Sequence, residues 1–330
     1  MDSTRIIDMA SAFYHSCVLF AASDLGIFKK LAELGEADLE AIVSACGLDR
    51  RGGWLLLDAC VALGLCEKRG DRYRNSPEAA LFLVPGSPAD VSGAIRYNRD
   101  VYDAWGRLRE MIQTGKPVEK PELHLGKDEE RTRTFVLAMH HRALGIGQAV
   151  VPLLELSGSK KVLDVGGGPG TYSMLVARAF PGVECIVLDL PEVVEIAAEL
   201  VGQAGMSDRV RTLEGDYHIM PFPDGNDVVL FFGVLHQEDE EAIRDLLRRA
   251  HDSLIPGGRV WVLDMMTDSS RAWPKFSALF SLNMALTTDR GSVFSDEDLE
   301  GWLDEAGFGD FSCRPLPPPM PHWLASARRS

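Results

Sequence analysis

A chain of 330 residues, 46% of them apolar, exceeds one average domain, so two domains are expected, each large enough to bury its own core. Asp and Glu outnumber Lys and Arg 49 to 34, and the net charge of -15 would repel a phosphate backbone and argues against a nucleic-acid partner. Six cysteines (Cys17, Cys46, Cys60, Cys66, Cys185, Cys313) lie scattered in apolar stretches with no Cys-x-x-Cys pair or zinc-type spacing, a pattern of reduced thiols in a cytoplasmic protein without a metal centre.

The N-terminus offers only Arg5 as a positive flank. The uncharged run Met9 to Ser23 is too short and too polar to span a bilayer, so no signal peptide or membrane insertion is expected. Apolar residues recur at helical spacing from Ile6 to Leu31, with Gly26 breaking the pattern, which predicts two helices. Amphipathic segments follow at Ala37 to Cys46 and Arg51 to Leu65, and Leu65 to Tyr73 reads as two short strands around a Gly70-Asp71 turn. Helices followed by such a hairpin suggest a winged-helix-like domain over residues 1–110. Its recognition-helix position, Arg51 to Leu65, is apolar nearly all round and is expected to be buried, which favours dimerisation over DNA binding.

Residues 111–156 form a connecting region, with a polar bridge at Gly115 to Arg133 and then a helix from Thr134 to Leu156. Residues 157–330 alternate strands and helices. Strands are expected at Lys161 to Val165, Glu184 to Leu188, Val210 to Glu214, Asn226 to Phe232 and Arg259 to Leu263. Helices lie between them at Thr171 to Phe180, Glu192 to Gln203 and Glu238 to Ser253. That order predicts an α/β, Rossmann-like doubly wound sheet. Leu254 to Arg259 reads as a helix stop and turn. The chain ends in a helix at Ser295 to Glu305 and strands near Gly309 to Arg314 and His322 to Ala327.

The first strand runs into Asp164-Val165-Gly166-Gly167-Gly168-Pro169-Gly170 and then into a helix, where backbone can approach a ligand closely. The spacing Gly166-x-Gly168-x-Gly170 departs from the dinucleotide pattern, whose last glycine would fall at Thr171, and favours S-adenosylmethionine over NAD. Asp189, in Leu188-Asp189-Leu190-Pro191, ends the second strand and can accept from both ribose hydroxyls, or cap the helix that follows. Asp216, before Tyr217, ends the third strand, placed to accept from the adenine amino group. Arg142, beside Met139, His140 and His141, can reach the methionine carboxylate of the cofactor or lie exposed.

Together these residues resemble the class I methyltransferases, and the two-domain layout resembles the dimeric small-molecule O-methyltransferases. That family includes the caffeate and acetylserotonin enzymes, bacterial tailoring enzymes and the bacteriochlorophyllide C-methyltransferase. Asp24 to Phe28 and Ala62 to Leu65 resemble its dimerisation domain; Asp164 to Gly170, Leu188 to Pro191, Gly215-Asp216 and Pro256 to Gly258 resemble its catalytic one. The resemblance implies a homodimer that methylates a small apolar or aromatic hydroxyl-bearing molecule from S-adenosylmethionine. It also implies a general base at His236 and a partner carboxylate at Asp264. The family's His-Asp-Trp run is replaced here by His236-Gln237-Glu238, a second carboxylate is replaced by Val293, and an adenine-contacting lysine by Phe232. His236 read in isolation serves equally as a cap for the next helix. Trp273, Phe276, Phe280, Met284 and Trp323 are expected to wall the acceptor pocket or to be plain core. Tyr217, shared with the carbon-methylating enzyme, keeps a tetrapyrrole or other carbon acceptor open as the alternative. A relative that binds the cofactor without methylating is a further alternative.

Overall fold

The computed structural model describes residues 2–87, 89–119, 129–318 and 320–330. By internal contacts the chain divides into two units, Met1–Asp100 and Val101–Ser330.

The first unit begins with three helices, α1 (Thr4–Ser11), α2 (Phe13–Asp24) and α3 (Ile27–Leu34), rather than two. The extra break falls at Ala12, where neither Gly nor Pro marks it; the second falls at Gly26, whose φ of 69° lies in the left-handed region. A two-residue strand, β1 (Ala37–Asp38), opens the segment expected to be helical throughout, and Asp38 then caps α4 (Leu39–Cys46) by accepting from the Ala41 N–H at 2.9 Å. Helix α5 (Arg50–Ala62) leads into the hairpin β2 (Cys66–Arg69) and β3 (Arg72–Asn75), with β1 pairing β3 to give the sheet order β1-β3-β2. Helices α6 (Pro77–Phe82) and α7 (Ser92–Asp100) complete the unit. Its core gathers Ala22, Ile27, Phe28, Leu31, Ile42 and Leu57.

One expectation is corrected here. Helix α5 buries only the face carrying Gly53, Leu57 and Cys60, while Trp54 and Leu55 are exposed, because a helix on the rim of a small domain has one side to bury. Thr4–Asp24, interrupted at Ala12, spans 21 residues and is long and apolar enough to cross a membrane by length and composition alone. Ile6, Ile7, Met9, Phe13 and Tyr14 along it are exposed.

The second unit starts with α8 (Tyr102–Gly106), α9 (Leu108–Thr114) and the long α10 (Glu129–Val150), which stops before Pro152. Part of the polar bridge, 120–128, lies outside the described residues. Then come β4 (Lys161–Val165), α11 (Thr171–Ala179), β5 (Glu184–Asp189), α12 (Pro191–Gln203), β6 (Val210–Glu214) and β7 (Asn226–Phe232). They are followed by α13 (Glu240–Ser253), β8 (Leu254–Asp264), α14 (Lys275–Thr287), α15 (Asp296–Glu305), β9 (Phe308–Pro315) and β10 (Trp323–Arg329). The seven strands form one sheet in the order β6-β5-β4-β7-β8-β10-β9, with β4 to β8 parallel and β10 antiparallel to both neighbours.

Alternate residues feed two cores. Leu163, Val165, Val229, Phe231, Val260 and Val262 pack on one face, and Val162, Val228, Leu230, Phe232, Trp261 and Leu263 on the other. Strands apolar on both faces require helices on both, which is why these runs read as continuous apolar stretches. The Pro256-Gly257-Gly258 turn lies inside β8, not before it. Asn226 already pairs with Leu254, and the register shift before Val228–Arg259 absorbs the turn as an irregularity, with Gly257 at φ 80°.

Candidate active site

The carboxyl ends of β4, β5, β6, β7 and β8 carry the site. The glycine turn after β4 holds Gly166, Gly168 and Gly170 at φ of 63°, 54° and 69°, conformations that side chains other than glycine rarely adopt. Backbone bonds stitch the neighbouring loops together: Gly166 N–H donates to the Leu188 carbonyl (2.8 Å) and Gly215 N–H to the Asp189 carbonyl (2.9 Å). A Cβ on Gly168 would meet nothing within 4 Å, so the turn borders open space. One on Gly167 would lie 2.7 Å from Asp164 Cγ and 2.9 Å from Val187 Cγ1. Gly167→Ala is therefore expected to cost about 1 to 3 kcal/mol by overpacking, and calorimetric titration should show weakened S-adenosylhomocysteine binding along with the lower Tm.

Asp189 is buried and accepts from Gly168 N–H through Oδ2 (2.7 Å) and Leu190 N–H through Oδ1 (2.8 Å). Burial pushes its pKa up to about 6 against the pull of those two N–H groups. Asp164 is fully buried; Ser173 donates to its Oδ2 at 2.7 Å, while its Oδ1 has no partner among the described residues. Burial raises Asp164 to about 7. Asp216 is half exposed and accepts from both the backbone N–H and the ring of His218. Burial opposes it, yet those His218 groups hold its carboxyl below the ordinary range. Tyr217 donates its hydroxyl to Glu238 Oε1 at 2.7 Å, and burial drives its pKa well above the ordinary value.

His236 sits in a single 3-10 turn, Leu235–Gln237, just after β7. Its Nδ1–H donates to Asp264 Oδ1 at 2.5 Å, and its backbone N–H to Asp264 Oδ2 at 3.2 Å. Asp264 ends β8 with no exposed surface and also accepts from Met265 N–H at 2.8 Å. The carboxylate thus fixes the ring's tautomer and leaves Nε2 as the free lone pair. His236 is not a helix cap: that place belongs to Asp239, which accepts from Ala242 N–H at 2.9 Å, so α13 starts two residues later than expected.

Phe280 meets the His236 ring edge-on at 5.3 Å and stacks with Phe276 at 5.9 Å; Trp273 and Trp323 make a second edge contact, also at 5.9 Å. Met284 packs with Phe280, Met265 and Val293. Trp273 and Phe276 remain about half exposed and border an accessible space, whereas Phe280, Met284 and Trp323 are buried core. Phe232, where the resemblance has a lysine, packs edge-on against Tyr172 at 5.0 Å.

Arg142 on α10 is half-buried, and its charge acts on Tyr172 and on His322. Sequence reasoning missed both of those neighbours. Burial, then Arg142, pushes buried His322 down to about 3, so it is neutral. Glu238 and His218 were also missed, because nothing local in the sequence marks them. A separate concavity of about 680 Å³ opens at the opposite edge of the sheet, beside Ser157, Asp227 and Pro256, away from every residue just described.

A glycine turn and acids at successive strand ends suit a nucleoside carrying an amino-acid tail. Asp189 retains acceptor capacity for ribose, and the orphaned Asp164 oxygen offers an acceptor beneath the turn. With a buried His-Asp pair at the ends of the next two strands, β7 and β8, these features define a class I methyltransferase. Comparison with known proteins narrows the class. An O-methyltransferase domain model matches residues 119–309 and an O-methyltransferase dimerisation domain model matches residues 7–85. The chain is 33% identical to a 3-hydroxy-5-methyl-1-naphthoate 3-O-methyltransferase of Streptomyces sahachiroi over 92% of this chain and 89% of that one. It is 35% identical to a tetracenomycin polyketide synthesis 8-O-methyl transferase of Streptomyces glaucescens over 92% and 91%. The structure of human N-acetylserotonin methyltransferase in complex with S-adenosylmethionine superposes with a TM-score of 0.88 at 29% identity, covering 100% of this chain and 98% of that one. The chain belongs to the S-adenosylmethionine-dependent O-methyltransferase family.

Proposed function

We propose that this enzyme methylates a hydroxyl on a small, largely apolar aromatic molecule, with His236 as general base and Asp264 as the group that orients it. The observation that carries this reading is the 2.5 Å bond between two buried side chains, His236 Nδ1 and Asp264 Oδ1, beside the Phe276–Phe280 stack. When bound, S-adenosylmethionine supplies an electrophilic methyl group. Asp189 and the glycine turn at Gly166, Gly168 and Gly170 hold the nucleoside, Asp216, Tyr217 and Leu190 line its adenine side, and Asp164 and Arg142 serve the amino-acid tail. His236 Nε2 takes the acceptor's proton as the hydroxyl oxygen is alkylated, and Asp264 stabilises the resulting imidazolium. Phe276, Phe280, Trp273 and Trp323 hold a planar ring and keep water from the reacting oxygen. Tyr217, the residue that suggested a carbon acceptor, has its hydroxyl committed to Glu238. Incubating the enzyme and labelled cofactor with matched panels of phenols, naphthols and aliphatic alcohols tests the acceptor class. Label in aromatic hydroxyls is expected, whereas label confined to aliphatic alcohols would overturn the reading.

Residues 1–110 pair two copies while 157–330 bind cofactor and acceptor. The dimerisation-domain match and the exposed Phe13, Tyr14, Leu25, Trp54 and Leu55 support a homodimer. Light scattering at low micromolar concentration should give twice the chain mass of 36.2 kDa; a monomer would contradict the pairing.

A further inference from the structure

The loops after β6 and after β7 meet through side chains although β5 and β4 separate those strands in the sheet. His218 makes the connection. Its Nδ1 lies 2.7 Å from Asp216 Oδ1 and its Nε2 lies 2.9 Å from Glu238 Oε2. Tyr217 takes the other Glu238 oxygen at 2.7 Å and passes beside the glycine turn, where a Cβ on Gly166 would meet its ring at 3.4 Å. Glu238 is buried, stands where the resemblance has a tryptophan, and draws both of these bonds from residues 217 and 218.

We propose that His218 is a positioning residue: as an imidazolium it bridges Asp216 and Glu238, clasping the loop after β6 to the base-bearing loop after β7 and fixing the Asp216 carboxylate for the adenosine of the cofactor. The argument is one of proton counting. A neutral imidazole has a single N–H and can donate to one carboxylate, whereas both ring nitrogens here face carboxyl oxygens, an arrangement that two ionised carboxylates satisfy with the doubly protonated ring. The surroundings favour that form. Burial opposes the charge, but Glu238 and Asp216 together raise the ring's pKa above its ordinary value. From α13, the Arg249 guanidinium donates to the carbonyls of Tyr217 and Met220 and pairs with Asp245, so it braces the backbone of the loop after β6 and its charge acts on Asp216. The negative charge of Asp189 acts on Tyr217. Losing the proton at alkaline pH releases one carboxylate, and cofactor affinity falls.

This rests on the reading of Asp216 as an adenosine contact, so the experiment separates the two. S-adenosylhomocysteine is titrated calorimetrically between about pH 6.5 and about pH 9.5 into wild type, His218→Phe and His218→Arg, and the His218 ring is titrated by NMR in the ligand-free dimer. His218→Phe should bind about tenfold more weakly at neutral pH, the scale of one hydrogen bond to a charged group. His218→Arg, which keeps two donors and a permanent charge, should bind tightly and lose the alkaline decline seen in wild type. The ring should titrate above free imidazole, and Glu238→Gln should bring it down. Wild-type affinity in His218→Phe at every pH, or the wild-type decline persisting in His218→Arg, would overturn the proposal. A ring that titrates like free imidazole overturns the bridge itself, in a measurement that needs no cofactor. Unchanged affinity in Asp216→Ala overturns the Asp216 reading instead.

Discussion

Replacing His236 with alanine or glutamine is expected to lower kcat by roughly 10²- to 10⁴-fold, the usual worth of a positioned general base, while S-adenosylhomocysteine affinity stays within about twofold. The split follows from geometry. The ring touches Asp264 and the edge of Phe280, and neither belongs to the glycine turn or the acids of the nucleoside side. Asp264→Asn should cost less in rate than loss of the ring, because the amide can still hold the imidazole but no longer stabilises its charge. The two losses should fall short of additive, since both act through one proton. Asp264 is fully buried and supports two backbone N–H groups as well, so its variant should also lower Tm. Comparing the kcat of the two variants with the Tm of each separates chemistry from folding. Wild-type turnover of the true acceptor by His236→Ala would remove the base.

The second large effect concerns Asp189. Asp189→Ala should weaken cofactor binding by about 1.5 to 3 kcal/mol, the range for hydrogen bonds to a charged acceptor. The pH dependence is a sharper test. Burial raises Asp189 to about 6 in the ligand-free chain, and a carboxyl that has taken up a proton loses acceptor capacity toward ribose. On the acid side, affinity for S-adenosylhomocysteine should fall as the pH drops through that value, approaching tenfold per pH unit. Asp189→Asn should bind weakly at all pH values and show a flatter acid limb. The part of the acid limb that survives in Asp189→Asn belongs to Asp164, raised to about 7 by its own burial.

The strands of the catalytic unit were legible because burial on both faces leaves a run of apolar residues that nothing else in the chain imitates. Lys161–Val165, Val210–Glu214 and Asn226–Phe232 have the expected bounds. The candidate site was legible for a related reason. Asp189 ends a strand, and Gly166, Asp216 and His236 each follow one within a few residues, so one local pattern fixes their common edge. What was not legible depends on long-range pairing. The early start of β8 is decided by Asn226 meeting Leu254 across the sheet, and β1 exists only because Ala37 lies opposite Tyr73. The break at Ala12 has no breaker residue to mark it. The bridge from Asp216 through His218 to Glu238 joins loops whose strands are separated in the sheet by two others, with His218 and Glu238 20 residues apart, and no single-sequence spacing encodes it.

The most direct measurement of the central claim is mass spectrometry of products formed when wild-type enzyme and His236→Ala are each incubated with deuteromethyl-labelled S-adenosylmethionine and an extract of the encoding organism. The expected result is a trideuterated methoxy group on an aromatic metabolite, formed by wild type and reduced by at least about a hundredfold in the variant. Label found on carbon or nitrogen, or a wild-type enzyme that binds the cofactor and labels nothing, would contradict it.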